Sequence, residues 1–550
     1  MSLRTLLFGS VKRNVFVVSA PVARHASSDN VTNNRGGKKI QAKHIAAVLF
    51  GSVLVGTAIK DQFPVQKLDK KSSIKEGTFV AGDKKPGLPV YRVEEVSKHD
   101  SKNSFWVTYR HGVYDVTKFV SSHPGGEQIY NAAGLSIEPF WNVYGMHKTK
   151  EVFELLETFR IGNLHDDDIV DHSDEELWVK EPFRDKRLIV KTAKPFNAEI
   201  SPRHQVDHFD TPNELFYVRQ HMPVPELDQT HKLRVDIEGA GSRQFSLREL
   251  DQFPRHSLRA ALMCAGNRRS EMNQQVKPVK GISWAGGAVS NAVWSGVPLR
   301  LVLQHCGVDL TDTRGKHVIF TGADMDATGV NFSTSIPLSH AVDPAARVLL
   351  ATHMNGEPLP RDHGSPLRVI VPGAPAVRSV KWLESITIGE DESPSHWHQK
   401  DYRAFNPSKT WDTADFSTAP PVYSLPVTSA ICDPQNGDTV EVVKGRIQLR
   451  GYAYSGGGAK ILRVDITTDH GKTWLEATPV AVDDAPPREH YAWTLWTADV
   501  PVDKSQSEME IWVKATDSNF NTQPERFEDI WNIRGILSNA YHRIKVKLKH

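Results

Sequence analysis

The sequence contains few cysteines for its length. Its 550 residues include three, Cys264, Cys306 and Cys432, and no two of them are close together in the chain. Neither a disulfide framework nor a Cys-x-x-Cys zinc site is therefore expected. A Cys-x-x-Cys-His sequence is also absent, which excludes the usual covalent attachment of a c-type haem. A role for one single thiolate remains open.

Net charge is small, but it is unevenly spread along the chain. The 67 basic and 65 acidic residues give a formal charge of +2. Residues 1–60 hold nine basic residues and one acidic residue, which leaves a balance of −6 for the rest. A mildly acidic chain argues against nucleic acid as a partner, because nucleic acid selects a basic patch. It suits a basic electron-transfer partner, although ordinary solubility also accounts for the charge.

The amino-terminal residues have the composition of a targeting sequence. Met1–Ser28 contains Arg4, Lys12, Arg13 and Arg24, several serines and no acidic residue, as mitochondrial transit peptides do. The apolar run that follows, Ile45–Ile59, is shorter than the roughly 20 residues that span a bilayer. This combination resembles the two-part presequences of proteins of the mitochondrial intermembrane space. A retained membrane anchor is the alternative interpretation.

A second segment combines a histidine with a rigid turn. Short strands are predicted at Ser104–Tyr109 and Gly112–Val116, followed by F-V-S-S-H-P-G-G-E at Phe119–Glu127. Proline fixes the turn, and the glycines allow the backbone to approach a flat ligand. The motif resembles cytochrome b5, which implies noncovalent haem b with His123 and His147 as axial ligands. Two axial imidazoles leave no open position on the iron, so the expected role is electron transfer.

The segment Ala261–Met272 places a thiol beside two arginines, in the order C-A-G-N-R-R from Cys264 to Arg269. Nearby positive charge favours the thiolate, which is the form that binds metals. Local chemistry alone does not name the metal, and a buried cysteine that acts only as a small apolar side chain is the simpler alternative.

Three further sequence motifs add to the information in the Cys264 segment. They are F-Y-V-R-Q-H at Phe216–His221, D-H-G-S-P-L-R at Asp362–Arg368 and V-K-W at Val380–Trp382. Together with the Cys264 segment, they resemble the sulfite oxidase family. The resemblance implies that Cys264 ligates molybdenum beside the dithiolene of a molybdopterin.

The same resemblance implies two sets of site residues. Those that would hold the pterin and its phosphate are Tyr217, Val218, Arg219, Gln220, His221, Asp324, His363, Arg368, Ser379, Val380 and Lys381. Those that would form the substrate pocket are Arg219, Arg269, Trp284 and Tyr402. The residue types suit the ligands, because arginine binds oxyanions in a bidentate manner and lysine supplies a point charge.

The start of the last domain departs from the family pattern. The family has three glycines followed by an arginine that reaches the pocket, whereas Ser455–Lys460 reads S-G-G-G-A-K, with Ala459 in the arginine position. We predict that Lys460 replaces the missing cation. A solvated loop lysine is the alternative.

An acidic stretch separates the two candidate cofactor sites. Seven acidic residues lie within Asp166–Glu176, and their mutual repulsion favours an extended, solvated chain. We predict that it tethers a mobile haem module.

The fold class predicted for the whole chain is α+β and multidomain. The ranges are a presequence at 1–60, a linker at 61–87, a cytochrome b5-like domain at 88–165 (the N-terminal domain), the acidic hinge at 166–177, a molybdopterin domain at 178–410 (the central domain) and a β-sandwich at 411–550 (the C-terminal domain). Period-two alternation in Met509–Ala515 and a turn at Asp469–Gly471 indicate the antiparallel, immunoglobulin-like sandwich.

The resemblance implies oxidation of sulfite to sulfate, with electrons passing through haem to cytochrome c, in a homodimer joined through the C-terminal domain. Two alternatives remain. A nitrate reductase shares both cofactor domains, but it places the haem domain after the molybdenum domain and adds a flavin domain. A haem electron carrier with a non-catalytic molybdopterin-type domain would contain iron and no molybdenum.

Overall fold

The computed structural model describes residues 81–170, 178 and 180–550. The predicted presequence, including Ile45–Ile59, lies outside the described residues, as does most of the later part of the acidic hinge. Among the described residues, no helix combines the length and apolar character needed to cross a membrane.

The N-terminal domain is a small sheet beside short helices. Its strands are β1 (Val90–Tyr91), β2 (Asp100–Ser101), β3 (Ser104–Tyr109), β4 (Gly112–Asp115) and β5 (Arg160–Leu164), and its helices are α1 (Val93–Val96), α2 (Glu138–Val143) and α3 (Lys150–Glu157). Strands β3 and β4 form the predicted hairpin, and Arg110 in the turn has a φ of 50°. The domain's own core contains Phe105, Tyr114 and Trp141.

The first residues of the acidic hinge are not extended, contrary to the prediction. Asp166–Asp168 forms a 3-10 turn that folds back on the N-terminal domain. Lys84 and Asp166 form an ion pair of 2.7 Å, and Arg92 and Asp168 form one of 2.9 Å. The basic partners offset the repulsion among the acids, and they could not be identified from the hinge sequence alone.

The central domain is built on one mixed and one antiparallel sheet, with a small three-stranded antiparallel sheet, β6-β7-β8, beside them. Its strands are β6 (Ile189–Thr192), β7 (Asn197–Glu199), β8 (Val218–Arg219), β9 (Lys232–Ile237), β10 (Gly241–Ser246), β11 (His256–Met263), β12 (Val289–Pro298), β13 (His317–Met325), β14 (Asn331–Pro337), β15 (Leu349–Met354), β16 (Glu357–Pro358), β17 (Arg368–Ile370) and β18 (Leu383–Gly389). Its helices are α4 (Pro202–Gln205), α5 (Leu247–Leu250), α6 (Arg269–Gln275), α7 (Leu299–His305) and α8 (Leu338–Val342). One sheet runs β10-β9-β18-β13-β14 and the other β11-β12-β15-β16, with β17 paired to β15. Largely antiparallel sheets combined with helices confirm the predicted α+β class.

The C-terminal domain contains two sheets around an apolar core, which confirms the predicted sandwich. Its strands are β19 (Thr428–Asp433), β20 (Thr439–Glu441), β21 (Arg446–Tyr454), β22 (Ile461–Thr467), β23 (Leu475–Glu476), β24 (Thr478–Ala481), β25 (Thr494–Pro501), β26 (Glu508–Asp517) and β27 (His542–Lys549). The sheets run β19-β21-β25-β24 and β20-β27-β26-β22-β23. Met509, Ile511 and Val513 of β26 point into the shared core, as the alternation predicted.

Candidate functional site

Cys264 lies at the end of β11, where the strand turns toward α6. Its backbone N–H donates to the Ala288 carbonyl at 2.9 Å, and only 7% of the residue is exposed. The adjacent Arg268 takes a left-handed conformation with a φ of 62° and is fully buried. Arg268 forms a 2.7 Å ion pair with Glu271, so its charge serves the fold. The thiol therefore stands at a fixed position on a buried wall.

A cavity of about 710 Å³, including space open to solvent, lies against this wall. The predicted residues that line it are Tyr217, Arg219, Gln220, His221, Cys264, Asp324, His363, Arg368, Ser379, Val380, Lys381 and Tyr402. Val218 is buried on β8 but is not part of the lining. Residues from four separate motifs thus converge on one site.

Two buried cations mark the deep part of the cavity. Arg368 donates from Nη1 to the His363 carbonyl and from Nη2 to the Ser379 carbonyl, both at 2.8 Å. Lys381 Nζ donates to the Asp362 carbonyl at 2.9 Å. Burial lowers the pKa of Arg368 to about 9 and also lowers the pKa of Lys381. Since desolvation disfavours these charges, an anionic ligand would be stabilised here.

Burial shifts the pKa values of other cavity groups toward the neutral form. Burial raises the pKa of Asp324 and lowers the pKa of His363 to about 4. His221 stacks on Phe332 at 4.9 Å between ring centres, and burial lowers its pKa as well. These groups offer hydrogen bonds without net charge, as recognition of a heterocycle requires.

The residues fit a phosphorylated pterin. Among the described residues, Arg368 Nε and Asp324 Oδ1 are buried polar atoms without a hydrogen-bond partner. Buried polar groups normally have a hydrogen-bond partner, so these two atoms indicate that a ligand binds here. A guanidinium suits the phosphate of molybdopterin, and a carboxyl suits its pterin nitrogens.

Arg269 lies behind the thiol in a space shaped by three glycines. Its Nε donates to the Gly535 carbonyl at 2.9 Å, and its Nη1 donates to the Ile282 carbonyl at 2.7 Å. A Cβ at Gly266, Gly281 or Gly535 would lie within 3 Å of the Arg269 side chain. Burial lowers the pKa of Arg269, and its electrostatic neighbours include Cys264, Arg534, Tyr402 and Arg219.

Tyr402 and Trp284 occupy the same region. Tyr402 lines the cavity, and burial raises its pKa to about 12, so its hydroxyl stays protonated. Trp284 is buried in the apolar cluster that contains Cys264, and its carbonyl accepts from the Ser270 N–H at 2.9 Å. Trp284 therefore supports the wall of the cavity, whereas Tyr402 forms part of its surface.

Arg534 is a residue that the sequence analysis missed. It comes from the loop before β27, yet its guanidinium pairs with Asp401, the residue before Tyr402. Its carbonyl accepts from Arg269 Nη2 at 3.3 Å. The sequence around it, W-N-I-R-G, offers no local sign of a site, because the contact joins residues 265 positions apart.

The prediction for Lys460 is wrong in this structure. Lys460 is exposed and is not among the cavity-lining residues, and its backbone N–H donates to Ser518 Oγ at 3.1 Å. Ala459 is buried two residues before β22. The glycine run serves close packing, since a Cβ at Gly458 would lie 1.9 Å from the Arg488 carbonyl oxygen. Arg534, and not Lys460, contacts Arg269 and acts on it electrostatically.

The N-terminal domain brings together its two predicted histidines. The rings of His123 and His147 are parallel within 5° and 6.1 Å apart between centres. Two metal–nitrogen bonds of about 2.0–2.1 Å between facing imidazoles require a spacing of roughly this size. Burial lowers the pKa of both rings, which favours the neutral, metal-binding form. His147 Nδ1 lies 2.9 Å from the Tyr144 carbonyl and donates to it, which leaves Nε2 for iron.

Comparison with known families matches each domain. Residues 92–165 match the cytochrome b5-like haem/steroid binding domain, 221–397 the oxidoreductase molybdopterin binding domain and 419–549 the Mo-co oxidoreductase dimerisation domain.

Relatives and a solved structure extend the similarity across most of the chain. Mitochondrial sulfite oxidase of Drosophila melanogaster is 51% identical over 84% of this chain and 81% of its own. The human mitochondrial sulfite oxidase is 46% identical over 83% and 84% respectively. The sulfane dehydrogenase SoxCD of Paracoccus pantotrophus is 25% identical, covering 69% of this chain and 90% of its own, with a TM-score of 0.52. The chain belongs to the sulfite oxidase family.

Proposed function

We propose that this protein oxidises sulfite to sulfate in the central-domain cavity. The observation that carries the proposal is the convergence of the Cys264 thiol, the arginines and the buried pterin-binding groups on one site. The reaction adds one oxygen, taken from water, to the sulfite sulfur and releases two electrons and two protons. Similarity to sulfite oxidases over more than four fifths of the chain favours this activity over that of a nitrate reductase.

Molybdenum bound to molybdopterin would supply the oxygen-transfer and two-electron chemistry, with Cys264 as the protein ligand. The chain's own groups bind and orient. Arg219, Arg269 and Arg534 attract the sulfite dianion, and the protonated Tyr402 hydroxyl donates a hydrogen bond to one of its oxygens. Arg368 and Lys381 neutralise the pterin phosphate.

The N-terminal domain serves as the exit for electrons. His123 and His147 would hold haem b, which would supply one-electron chemistry, with cytochrome c as the acceptor. The acidic hinge after Asp168 lets this domain alternate between the cavity and that partner. We place the boundaries of the three domains at 88–165, 178–410 and 411–550, and we infer a homodimer joined through the C-terminal domain, which matches a dimerisation family.

The protein acts in mitochondria, in the intermembrane space. The basic, acid-free composition of Met1–Ser28 supports this location, as do the mitochondrial relatives. Cytochrome c belongs to the same compartment, which agrees with its role as acceptor.

Metal analysis combined with turnover tests the proposal. The purified holoprotein should contain one molybdenum and one iron per chain, and sulfite should reduce cytochrome c while nitrate leaves the reduced enzyme unoxidised. Iron without molybdenum would identify a haem carrier instead. Turnover of nitrate would favour the reductase alternative.

A further inference from the structure

One segment of the N-terminal domain packs outside that domain. Val143, the last residue of α2, is only 4% exposed, yet it is absent from the domain's own core. It belongs to the main apolar cluster of the central domain, which contains Met222, Phe332 and Trp397, and Tyr144 packs against the same cluster. The structure therefore shows the N-terminal domain seated on the central domain through this segment.

Polar and backbone contacts fix the same segment. Trp178 of the central domain donates from Nε1 to the Asn142 carbonyl at 2.6 Å. A Cβ at Gly145 would lie 3.1 Å from Lys194 Cβ, so the two domains meet there without space for a larger side chain. Close packing on both sides of Val143 and Tyr144 indicates a shaped interface.

This segment is directly joined to a predicted haem ligand. The Tyr144 carbonyl accepts the hydrogen bond from His147 Nδ1 at 2.9 Å. Tyr144 also lies next to the cavity, because the apolar cluster against which it packs includes Phe332 and Val380, and both of these residues line the cavity. Burial, followed by the charges of Asp326 and Asp401, raises the pKa of Tyr144 to about 12, so its hydroxyl is neutral.

The loop of the other haem ligand faces the central domain as well. A Cβ at Gly126, which closes the His-Pro-Gly-Gly turn, would lie 3.3 Å from Lys280 Nζ. Lys280 precedes Ile282, whose carbonyl receives the Arg269 Nη1 donor. Both axial-ligand segments thus contact the central domain.

We propose that Val143 and Tyr144 form the docking contact through which the haem domain receives electrons, with Tyr144 as the positioning residue between His147 and the pocket. The proposal rests on the relay described under Proposed function. The step it serves would be a one-electron transfer from the molybdenum that Cys264 would hold to the haem iron that His123 and His147 would hold. An external acceptor would take up each of the two electrons in turn.

The test measures haem reoxidation after flash photoreduction in the full-length holoprotein. We expect Val143→Asp and Tyr144→Ala to slow transfer between haem and molybdenum at least tenfold, because a carboxylate or a void disrupts the buried contact. Tyr144→Phe keeps the ring and should stay within twofold of the wild type. Val93→Asp changes an exposed valine of the same domain and should also leave the rate unchanged.

Three further measurements separate docking from damage. The haem absorption spectrum, the haem midpoint potential and sulfite oxidation with a dye that accepts electrons at molybdenum should all match the wild type. Trp178→Phe, which lies outside the haem domain and removes only the indole donor, should slow transfer three- to tenfold. Unchanged transfer rates in Tyr144→Ala and Trp178→Phe would overturn the docking assignment. Absence of any transfer in the wild-type holoprotein would instead overturn the relay.

Discussion

The Arg269 guanidinium rests directly against the backbone of Gly535, with Nε donating to its carbonyl at 2.9 Å. Gly535 has a φ of +56°, and an added Cβ would lie 2.1 Å from Val279 Cγ2 and 2.9 Å from Arg269 Nε. The C-terminal domain therefore holds an arginine of the central domain in place, and a single methyl group would displace it.

Gly535→Ala should lower both stability and substrate affinity. The left-handed conformation costs about 1–2 kcal/mol for alanine, and the overlap adds about 1–3 kcal/mol. We expect a lower Tm and a raised KM for sulfite. Gly437→Ala is the matched control, because Gly437 has a φ of 88° but no atom within 4 Å of its added Cβ. An equal effect on KM in both variants would show that Arg269 is not displaced.

Cys264→Ser should abolish sulfite oxidation and leave the haem spectrum unchanged, because the hydroxyl does not replace a thiolate as a soft ligand. Molybdenum content and dye-linked turnover are the measurements. Cys306→Ser, at a buried cysteine outside the cavity lining, should retain activity. Substantial turnover in Cys264→Ser would exclude it as the metal ligand.

Arg534→Ala should raise the KM for sulfite roughly ten- to a hundredfold, since a charge-assisted hydrogen bond contributes about 1.5–3 kcal/mol. Lys460→Ala should leave kcat/KM unchanged, because Lys460 is exposed and is not part of the cavity lining. Steady-state kinetics of the two variants in parallel decide the matter. The reverse pattern would restore Lys460 as the pocket cation.

Exchange of His123 or His147 for alanine should remove six-coordinate haem and stop the reduction of cytochrome c. Sulfite oxidation with a dye that accepts electrons at molybdenum should survive, because the cavity does not include either ring. The optical spectrum and the two assays are the readouts. Loss of both activities in a folded variant would contradict the relay.

Stability should fall in acid through His542. Burial lowers its pKa to about 4, despite the opposing charge of Glu271, and its Nδ1 accepts the Ile431 N–H at 3.1 Å. A folded-state pKa below the ordinary value of about 6.5 stabilises the fold above pH 6.5, and this contribution is lost as pH falls from 6.5 toward 4. His542→Gln should flatten the fall of Tm across this window. Equal slopes in His542→Gln and the wild type would exclude His542.

Cys264 and His123 could be predicted from the sequence because each lies in a short, informative motif. Cys264 lies within six informative residues, and His123 lies in a turn whose proline and glycines have a direct physical meaning. The structure places Cys264 on the cavity wall and His123 opposite His147.

What the sequence could not provide depends on contacts between distant segments. Arg534 reaches Arg269 across 265 positions, and no local periodicity or spacing encodes such a contact. The error at Lys460 has the same origin, because the glycine run before it does not determine which basic residue the fold brings close to Arg269. Nothing in the sequence distinguishes Val143 from other helix residues. Only tertiary packing shows that its side chain lies in the apolar cluster of the central domain.

Trp178, whose indole contacts the haem domain, lies ten residues beyond Asp168, which is the last ion-paired acid among the described residues of the hinge. Ten residues reach at most about 36 Å, so the haem domain stays close to its docking site. A connection of this length gives the haem domain an effective concentration at its docking site on the order of millimolar. A docking interface of weak intrinsic affinity is then sufficient for the haem domain to rebind often. The same weak affinity also allows fast dissociation. Lengthening this connecting segment would therefore lower the effective concentration of the haem domain, and it would slow turnover without altering either redox centre.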